Sequence, residues 1–131
     1  MKDAYIELAV CGLHMRGYQL NHQLTELNAV YDRKDKTLPF YRMKVIPGDI
    51  EKPFLMYHEK GFPIAVEVWR IPAGNLGSFL AGIPIPLGLG KIGLQSGDVI
   101  GFVGQAGYGE DYKDISVYEG WETYISRQRD E

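Results

Sequence analysis

Alternating apolar and polar positions predict β-strands in four stretches of the chain. The clearest lies at residues 64–71, where Val66, Val68 and Ile71 combine β-branched side chains with polar neighbours. Similar patterns mark residues 5–10, 40–46 and 99–103. The first three stretches end at glycine or proline, which interrupt regular pairing, so we predict strands joined by turns and loops.

Apolar residues at helical spacing predict three short helices. Leu20, Leu24 and Leu27 lie four and three residues apart, with Asn21 as a candidate N-cap. The same spacing recurs around residues 76–83 and again at residues 121–125, near the end of the chain.

Two stretches show neither period and are predicted as loops. Residues 31–36 alternate positive and negative charges, and residues 83–90 mix prolines and glycines with apolar side chains. Strands joined by irregular connections favour an α+β fold, in which an antiparallel or mixed sheet curls into a small barrel with short helices. Because 131 residues show no repeat and no linker, we expect a single domain at residues 1–131.

Composition and charge argue against several functions. The formal net charge of −3 and the scattered basic residues disfavour nucleic-acid binding. No apolar run approaches the roughly 20 residues that cross a bilayer, so no membrane association is expected. The single cysteine, Cys11, cannot form an internal disulfide, and the first residues lack the apolar core of a signal peptide. We therefore expect a cytoplasmic protein.

The loop after the first strand carries the strongest candidate for proton chemistry. His14 lies between Gly12 and Gly17, and an imidazole with an ordinary pKa of about 6.5 suits proton transfer near neutrality. Successive N–H groups of a glycine-rich turn, here including Gly12 and Leu13, can also bind a carboxylate. The alternative is a structural or exposed histidine in an ordinary turn.

Other charged residues also have two interpretations. Glu67 lies on the same strand face as Trp69, so its carboxylate either takes part in function or is paired with backbone donors or an arginine. Arg42 and Lys52 either bind a dicarboxylate ligand or are simply solvated.

Metal and thiol chemistry are not expected. His14, His22 and His58 do not have the spacing of metal ligands, so we predict neither a metal nor another cofactor; stoichiometric zinc in elemental analysis would contradict this. Cys11 and His14 form a Cys-x-x-His pair without a third orienting group, which favours a small buried cysteine over a nucleophile.

Several motifs occur together in the order found in one protein family. They are Cys11-Gly12-Leu13-His14-Met15-Arg16-Gly17, Leu20-Asn21, Gln23-Leu24, Tyr41-Arg42, Lys52-Pro53, Val66-Glu67-Val68-Trp69, Ile83-Pro84-Ile85-Pro86-Leu87-Gly88-Leu89-Gly90, Gly101-Phe102, Asp114-Ile115-Ser116, Gly120-Trp121 and Tyr124. Together they extend from about Ala9 to Ile125 and resemble the C-terminal domain of allophanate hydrolases.

The resemblance implies a fold like that of gamma-glutamyl cyclotransferases, in which the first glycine-containing loop forms an anion-binding cavity. In the family this domain is associated with decarboxylation of N-carboxycarbamate, which an N-terminal amidase domain produces from allophanate. The resemblance thus implies His14 as the acid/base group. The implied substrate contacts are Gly12, Leu13, Asn21, Gln23, Tyr41, Arg42, Glu67 and Gln105.

Three features distinguish this chain from the family pattern and leave two hypotheses. Gln105 stands where the family has a glutamate after the Gly-Phe pair, a charged glycine-rich stretch follows at residues 107–113, and we expect no amidase domain within these 131 residues. The first hypothesis is a decarboxylase of a small N-carboxylated compound. The alternative is a non-catalytic module that binds a small carboxylate and serves a separate amidase or urea carboxylase-type protein.

We predict no gamma-glutamyl cyclotransferase activity, because residues 77–84, which correspond to the helix carrying that family's acid/base glutamate, contain no carboxylate.

Overall fold

The computed structural model describes residues 4–105 and 107–129, so residues 1–3, 106 and 130–131 of the predicted domain lie outside the described ranges. Eight strands are described: β1 (Tyr5–Val10), β2 (Val30–Lys36), β3 (Tyr41–Ile46), β4 (Lys52–Tyr57), β5 (Ala65–Pro72), β6 (Leu87–Leu94), β7 (Gly97–Gly104) and β8 (Lys113–Asp114). The helices are α1 (His22–Thr25), α2 (Leu76–Ala81) and α3 (Trp121–Arg129), with 3-10 turns at Ala73–Asn75 and Ser116–Tyr118.

The strands form one mixed sheet in the order β2-β5-β1-β7-β4-β3-β8, to which β6 adds by pairing with β7. Most neighbouring strands are antiparallel, but β1 and β4 both run parallel to β7. The curled mixed sheet with few short helices confirms the predicted α+β class. In the described ranges, no helix is long and apolar enough to cross a membrane.

Strand β7 positions the site because two strands share one of its edges. β6 pairs along the whole length of β7 and fills one edge. On the other edge, β1 pairs at Ile100 and Gly101, whereas β4 pairs at Val103. The two strands therefore separate beside Phe102, and the end of β1 meets the start of β4 there.

The core lies between the inner face of the sheet and the helices. Leu8, Val68 and Ile71 are fully buried, and Phe79 of α2 and Tyr124 of α3 belong to the same apolar cluster. Burial of side chains of this size is the main favourable contribution to folding, at about 1.5–3 kcal/mol for each aliphatic residue.

The apolar patterns located most of the elements. The strands predicted at residues 5–10, 40–46, 64–71 and 99–103 correspond to β1, β3, β5 and β7, and helices occur near all three predicted places. The first helix is a single turn, and Asn21 makes no side-chain cap bond there; its amide donates instead to the His14 carbonyl oxygen at 2.7 Å.

Both stretches that were predicted as loops, residues 31–36 and 83–90, contain residues of β-strands. Residues 31–36 belong to β2, an edge strand whose charges form ion pairs such as Arg33 with Asp32 and Asp35, so polarity there reflects exposure rather than irregularity. Residues 87–90 begin β6, because the prolines precede the paired segment. The sequence analysis also missed β4, since Pro53 lies near its start.

Candidate functional site

The loop that carries His14 follows β1 directly and is shaped by close contact with β4. A Cβ atom at Gly12 would overlap the ring of Pro53, so glycine is required where the two strands meet. Within the loop the Met15 N–H donates to the Gly12 carbonyl oxygen at 3.0 Å. The Leu20 N–H donates to the Leu13 carbonyl oxygen at 2.9 Å, which ties the loop to the approach of α1.

The His14 imidazole is held by three neighbouring elements. Its Nε2 lies 2.8 Å from Oε1 of Gln23 on α1, and because an amide oxygen only accepts, Nε2 carries the proton. One ring face stacks on Phe102 of β7 with centroids 4.9 Å apart, and Phe79 of α2 makes an edge contact at 5.2 Å. These contacts fix the ring and leave Nδ1 as its proton-accepting nitrogen.

A cavity of about 230 Å³ opens beside the point where the end of β1 meets the start of β4. Its polar side chains are His14, Gln23 and Lys52, and its lining contains no Asp or Glu among the residues that the structure describes. The remaining lining residues are Cys11, Gly12, Leu13, Leu20, Pro53, Gly82, Ile83, Pro84, Leu87 and Phe102. A largely apolar wall with a few convergent polar groups is typical of small-ligand sites.

Electrostatics at the cavity favour binding of an anion. Burial lowers the pKa of His14 below its ordinary value of 6.5; the hydrogen bond to Gln23 opposes this shift, and the positive charges of His22 and Lys52 add to it. The imidazole is therefore mostly neutral at pH 7 in the free protein. An anion beside Lys52 would relieve the repulsion and raise the pKa of His14.

Backbone N–H groups of the loop are further candidate donors to a bound anion. Within the part of the chain that the structure describes, the N–H groups of Met15, Tyr18 and Leu20 donate to backbone carbonyl oxygens, and no such bond is found for the N–H groups of Gly12, Leu13 and His14. Consecutive unpaired amides at a turn are the usual donors for a carboxylate.

The structure brings some of the sequence-predicted site residues together and separates others. Gly12, Leu13, His14 and Gln23 line the cavity, and Asn21 contacts the loop through the His14 carbonyl oxygen. The other four lie outside the lining: Tyr41, Arg42, Glu67 and Gln105.

Those four residues have other contacts. The Tyr41 hydroxyl accepts from the Gly93 N–H at 2.8 Å, and Arg42 donates to the Lys60 carbonyl oxygen at 2.7 Å. Glu67 accepts from Arg16, as the arginine-paired alternative anticipated, and Gln105 is exposed.

The sequence analysis missed most of the apolar wall. Phe102 had a signal in the Gly-Phe pair of β7, but its stacking on His14 depends on contacts between distant parts of the chain. Cys11 lines the same cavity, yet burial raises the pKa of its thiol to about 12, so the reactive thiolate is not formed near neutral pH. In the described ranges, no group of three or more His, Cys, Asp or Glu side chains is arranged to hold a metal ion.

Comparison with known proteins gives a match along nearly the whole chain. Residues 6–126 match the family model of the allophanate hydrolase C-terminal domain. The chain is 38% identical over 128 residues to urea amidolyase of Lachancea kluyveri, a match covering 92% of this chain and 7% of the relative. It therefore spans only a small part of that relative's length.

Solved structures agree with this match. The chain is similar to selenomethionine-substituted allophanate hydrolase of Kluyveromyces lactis, with a TM-score of 0.89, 34% identity, and coverage of 95% of this chain and 22% of that one. A uropathogenic E. coli-specific protein gives a TM-score of 0.85 at 29% identity, covering 94% and 97% of the two chains. Likeness in fold alone extends to an AIG2-like protein of Mus musculus, at 20% identity and a TM-score of 0.64 over 82% of each chain.

Proposed function

The chain belongs to the family of allophanate hydrolase C-terminal domains, and from that premise we propose that it decarboxylates a small N-carboxylated compound of the N-carboxycarbamate type. One observation carries the proposal: His14 and Lys52 share a small cavity that has no carboxylate in its described lining. A proton donor and an anion-binding cation are the two groups that this reaction needs.

The reaction requires the nitrogen lone pair to leave conjugation with the departing carboxylate. Protonation of nitrogen achieves this, after which the C–N bond breaks, its electron pair stays on nitrogen, and the carboxylate leaves as carbon dioxide. For the N-carboxycarbamate dianion, one proton is consumed and the products are one carbon dioxide and the carbamate monoanion. Atoms and charge therefore balance without a redox partner.

His14 supplies the proton in this proposal. The dianion raises the pKa of the imidazole, so that His14 takes up a proton at Nδ1 as the substrate binds, while Nε2–H remains bound to Gln23. The Phe102 ring stacked at 4.9 Å further favours the imidazolium, because an aromatic face attracts a cation.

Lys52 and the loop amides bind the substrate. The ammonium and the imidazolium together carry two positive charges, which match the two negative charges of the dianion in a site whose other walls are largely apolar. The N–H groups of Gly12 and Leu13 are additional donors for one carboxylate.

A separate amidase or urea carboxylase-type protein supplies the substrate in this proposal. The supporting observation is that the Kluyveromyces lactis allophanate hydrolase contains a region like this chain within a protein several times longer. We also propose that residues 1–131 act as one domain and that the compartment is the cytoplasm, where an unpaired Cys11 stays reduced.

Turnover tests the proposal directly. Purified protein given freshly generated N-carboxycarbamate should accelerate carbon dioxide release above the uncatalysed rate, and the acceleration should saturate with substrate. A His58→Asn variant is the matched control, because His58 is exposed, lies outside the cavity lining and does not contribute to the pKa shift of His14. An uncatalysed rate with the folded protein would refute the proposal.

The lowered pKa of His14 favours a second candidate, a binding module. A neutral imidazole beside Lys52 suits recognition of a monocarboxylate without proton transfer. This candidate predicts saturable binding of small carboxylates, measured by calorimetry, together with no acceleration of carbon dioxide release.

A further inference from the structure

Glu67 is a buried carboxylate that lies outside the cavity and beside the base of the His14 loop. It is 7% exposed and occupies β5 directly opposite Val10, the last residue of β1. The loop starts at the next residue, Cys11. A carboxylate at this depth needs donors, since burial of an unpaired charge is costly.

The loop itself supplies two of those donors. The Arg16 backbone N–H donates to Oε1 of Glu67 at 3.0 Å, and the Arg16 Nε–H donates to Oε2 at 3.1 Å. Trp69, two residues along β5, donates its indole N–H to Oε1 at 3.2 Å. Both carboxylate oxygens are therefore engaged, and the far end of the loop is attached to β5.

Aromatic packing adds contacts to the residues that donate to Glu67. The Arg16 guanidinium carbon lies 3.5 Å from the centre of the Tyr31 ring, and Tyr31 makes an edge contact with Trp69 at 5.8 Å. Arg16 is thus fixed by Glu67 and by Tyr31 of β2, so its position depends on two strands of the sheet.

We propose that Glu67 is a positioning residue that holds the His14 loop in its active geometry through Arg16. Arg16 is two residues from His14, and the bond from Met15 N–H to the Gly12 carbonyl oxygen makes the intervening turn compact. A shift at Arg16 is therefore transmitted to the imidazole. This inference rests on the proposed function for its kinetic consequence, but its structural consequence can be measured without turnover.

A role in stability alone makes a different prediction. The side chains of Arg16 and Glu67 are 47% and 10% exposed, and because removal of Arg16 leaves a buried carboxylate with one donor fewer, the pair also contributes to folding stability. The two bonds from Arg16, one through its backbone N–H and one through its Nε–H, together fix the path of the loop, so loss of either one should loosen it.

The test compares Glu67→Gln and Arg16→Met with the control Glu7→Gln. The control removes an equal charge from an ion pair with Arg33 at 3.2 Å, away from the loop. NMR titration gives the pKa of His14 in each protein, kinetics give kcat and KM, and thermal unfolding gives Tm. Arg16→Met keeps the backbone bond and the buried carboxylate, and it decides the test if Glu67→Gln does not fold.

Loosening of the loop should admit water to the imidazole. Both test variants should therefore show a His14 pKa raised toward 6.5 and a kcat about tenfold or more below that of the wild type, with a smaller change in KM, because misplacement of a reacting group by about 1 Å is already costly. The control should retain the wild-type pKa and kcat.

Two results would distinguish failure of the positioning role of Glu67 from failure of the proposed function. Folded variants with a lower Tm but wild-type His14 pKa and kcat would overturn the positioning role and leave Glu67 as a structural residue. A wild-type protein without turnover would refute the proposed function, and the NMR titration of His14 would still decide whether Glu67 positions the loop.

Discussion

The surroundings of His14 combine contacts that fix an imidazole with contacts that keep it uncharged. Gln23 and Phe102 restrict the ring, while burial and the charges of His22 and Lys52 lower its pKa. A dianionic ligand reverses the electrostatic contribution, because it neutralises Lys52 and interacts favourably with imidazolium. In the proposed reaction, protonation of His14 is thus coupled to binding of the substrate.

This coupling predicts different pH dependences for kcat/KM and kcat. Because the acid form is required and the free-protein pKa lies below 6.5, kcat/KM should fall by about tenfold per unit as pH rises from about 6.5 to 8. The pKa in the complex is raised by the dianion, so kcat should begin to fall only at higher pH. Steady-state kinetics across this range provides the check. Coincident profiles, or a kcat/KM that rises with pH, would contradict the coupling.

Single residues were the least predictable part of the site. The glycine-flanked loop indicated His14, but the same motif list included Arg42 and Glu67, which the fold directs to other partners. A residue type shows what chemistry is possible, whereas the pairing of β1, β4 and β7 decides which side chains reach the cavity.

At the scale of elements, the cavity results from two strands sharing one edge of β7. The end of β1 and the start of β4 converge so closely that Gly12 contacts the ring of Pro53. The glycine that the sequence indicated as part of a carboxylate-binding turn is therefore also required for close packing, which a single sequence does not reveal.

Gly12→Ala should damage the site more than a strand glycine elsewhere. The added methyl overlaps Pro53, so the loop or β4 must move, at a cost of about 1–3 kcal/mol in the free energy of unfolding and at least a tenfold loss of activity. Gly88→Ala in β6 is the matched control, since a Cβ there meets nothing within 4 Å. Chemical denaturation and turnover measure both effects. Equal effects of the two substitutions would show that the Pro53 contact is not limiting.

Helix α2 gives a prediction about a related activity. It contributes Phe79 against His14 but contains no carboxylate, and none lines the cavity among the described residues. A cyclotransferase reaction would require such a group as its acid/base. We expect no release of 5-oxoproline from a gamma-glutamyl substrate, measured by chromatography. Release at enzymatic rates that the His14→Asn substitution leaves unchanged would reveal a second site.

For the molecule as a whole, local patterns predicted the fold class and most elements, while long-range pairing determined the rest. Alternation identified β5 and β7, but β2 was hidden by charge because an edge strand need not be apolar. Pro53 concealed β4 for a similar reason, as proline is unfavourable inside central strands. The family resemblance supplied what periodicity did not, namely the relation to the gamma-glutamyl cyclotransferase fold and the cavity beside the first loop.

The measurement that tests the central claim most directly is carbon dioxide release from N-carboxycarbamate by wild-type and His14→Asn proteins at equal folded concentration. The account predicts saturable acceleration by the wild type and a kcat lower by about 10²-fold or more in the variant, because general acid catalysis is lost. The variant should still fold, with a lower Tm, because the ring contacts with Phe79 and Phe102 are lost as well. A folded His14→Asn protein that releases carbon dioxide at the wild-type rate would contradict the account.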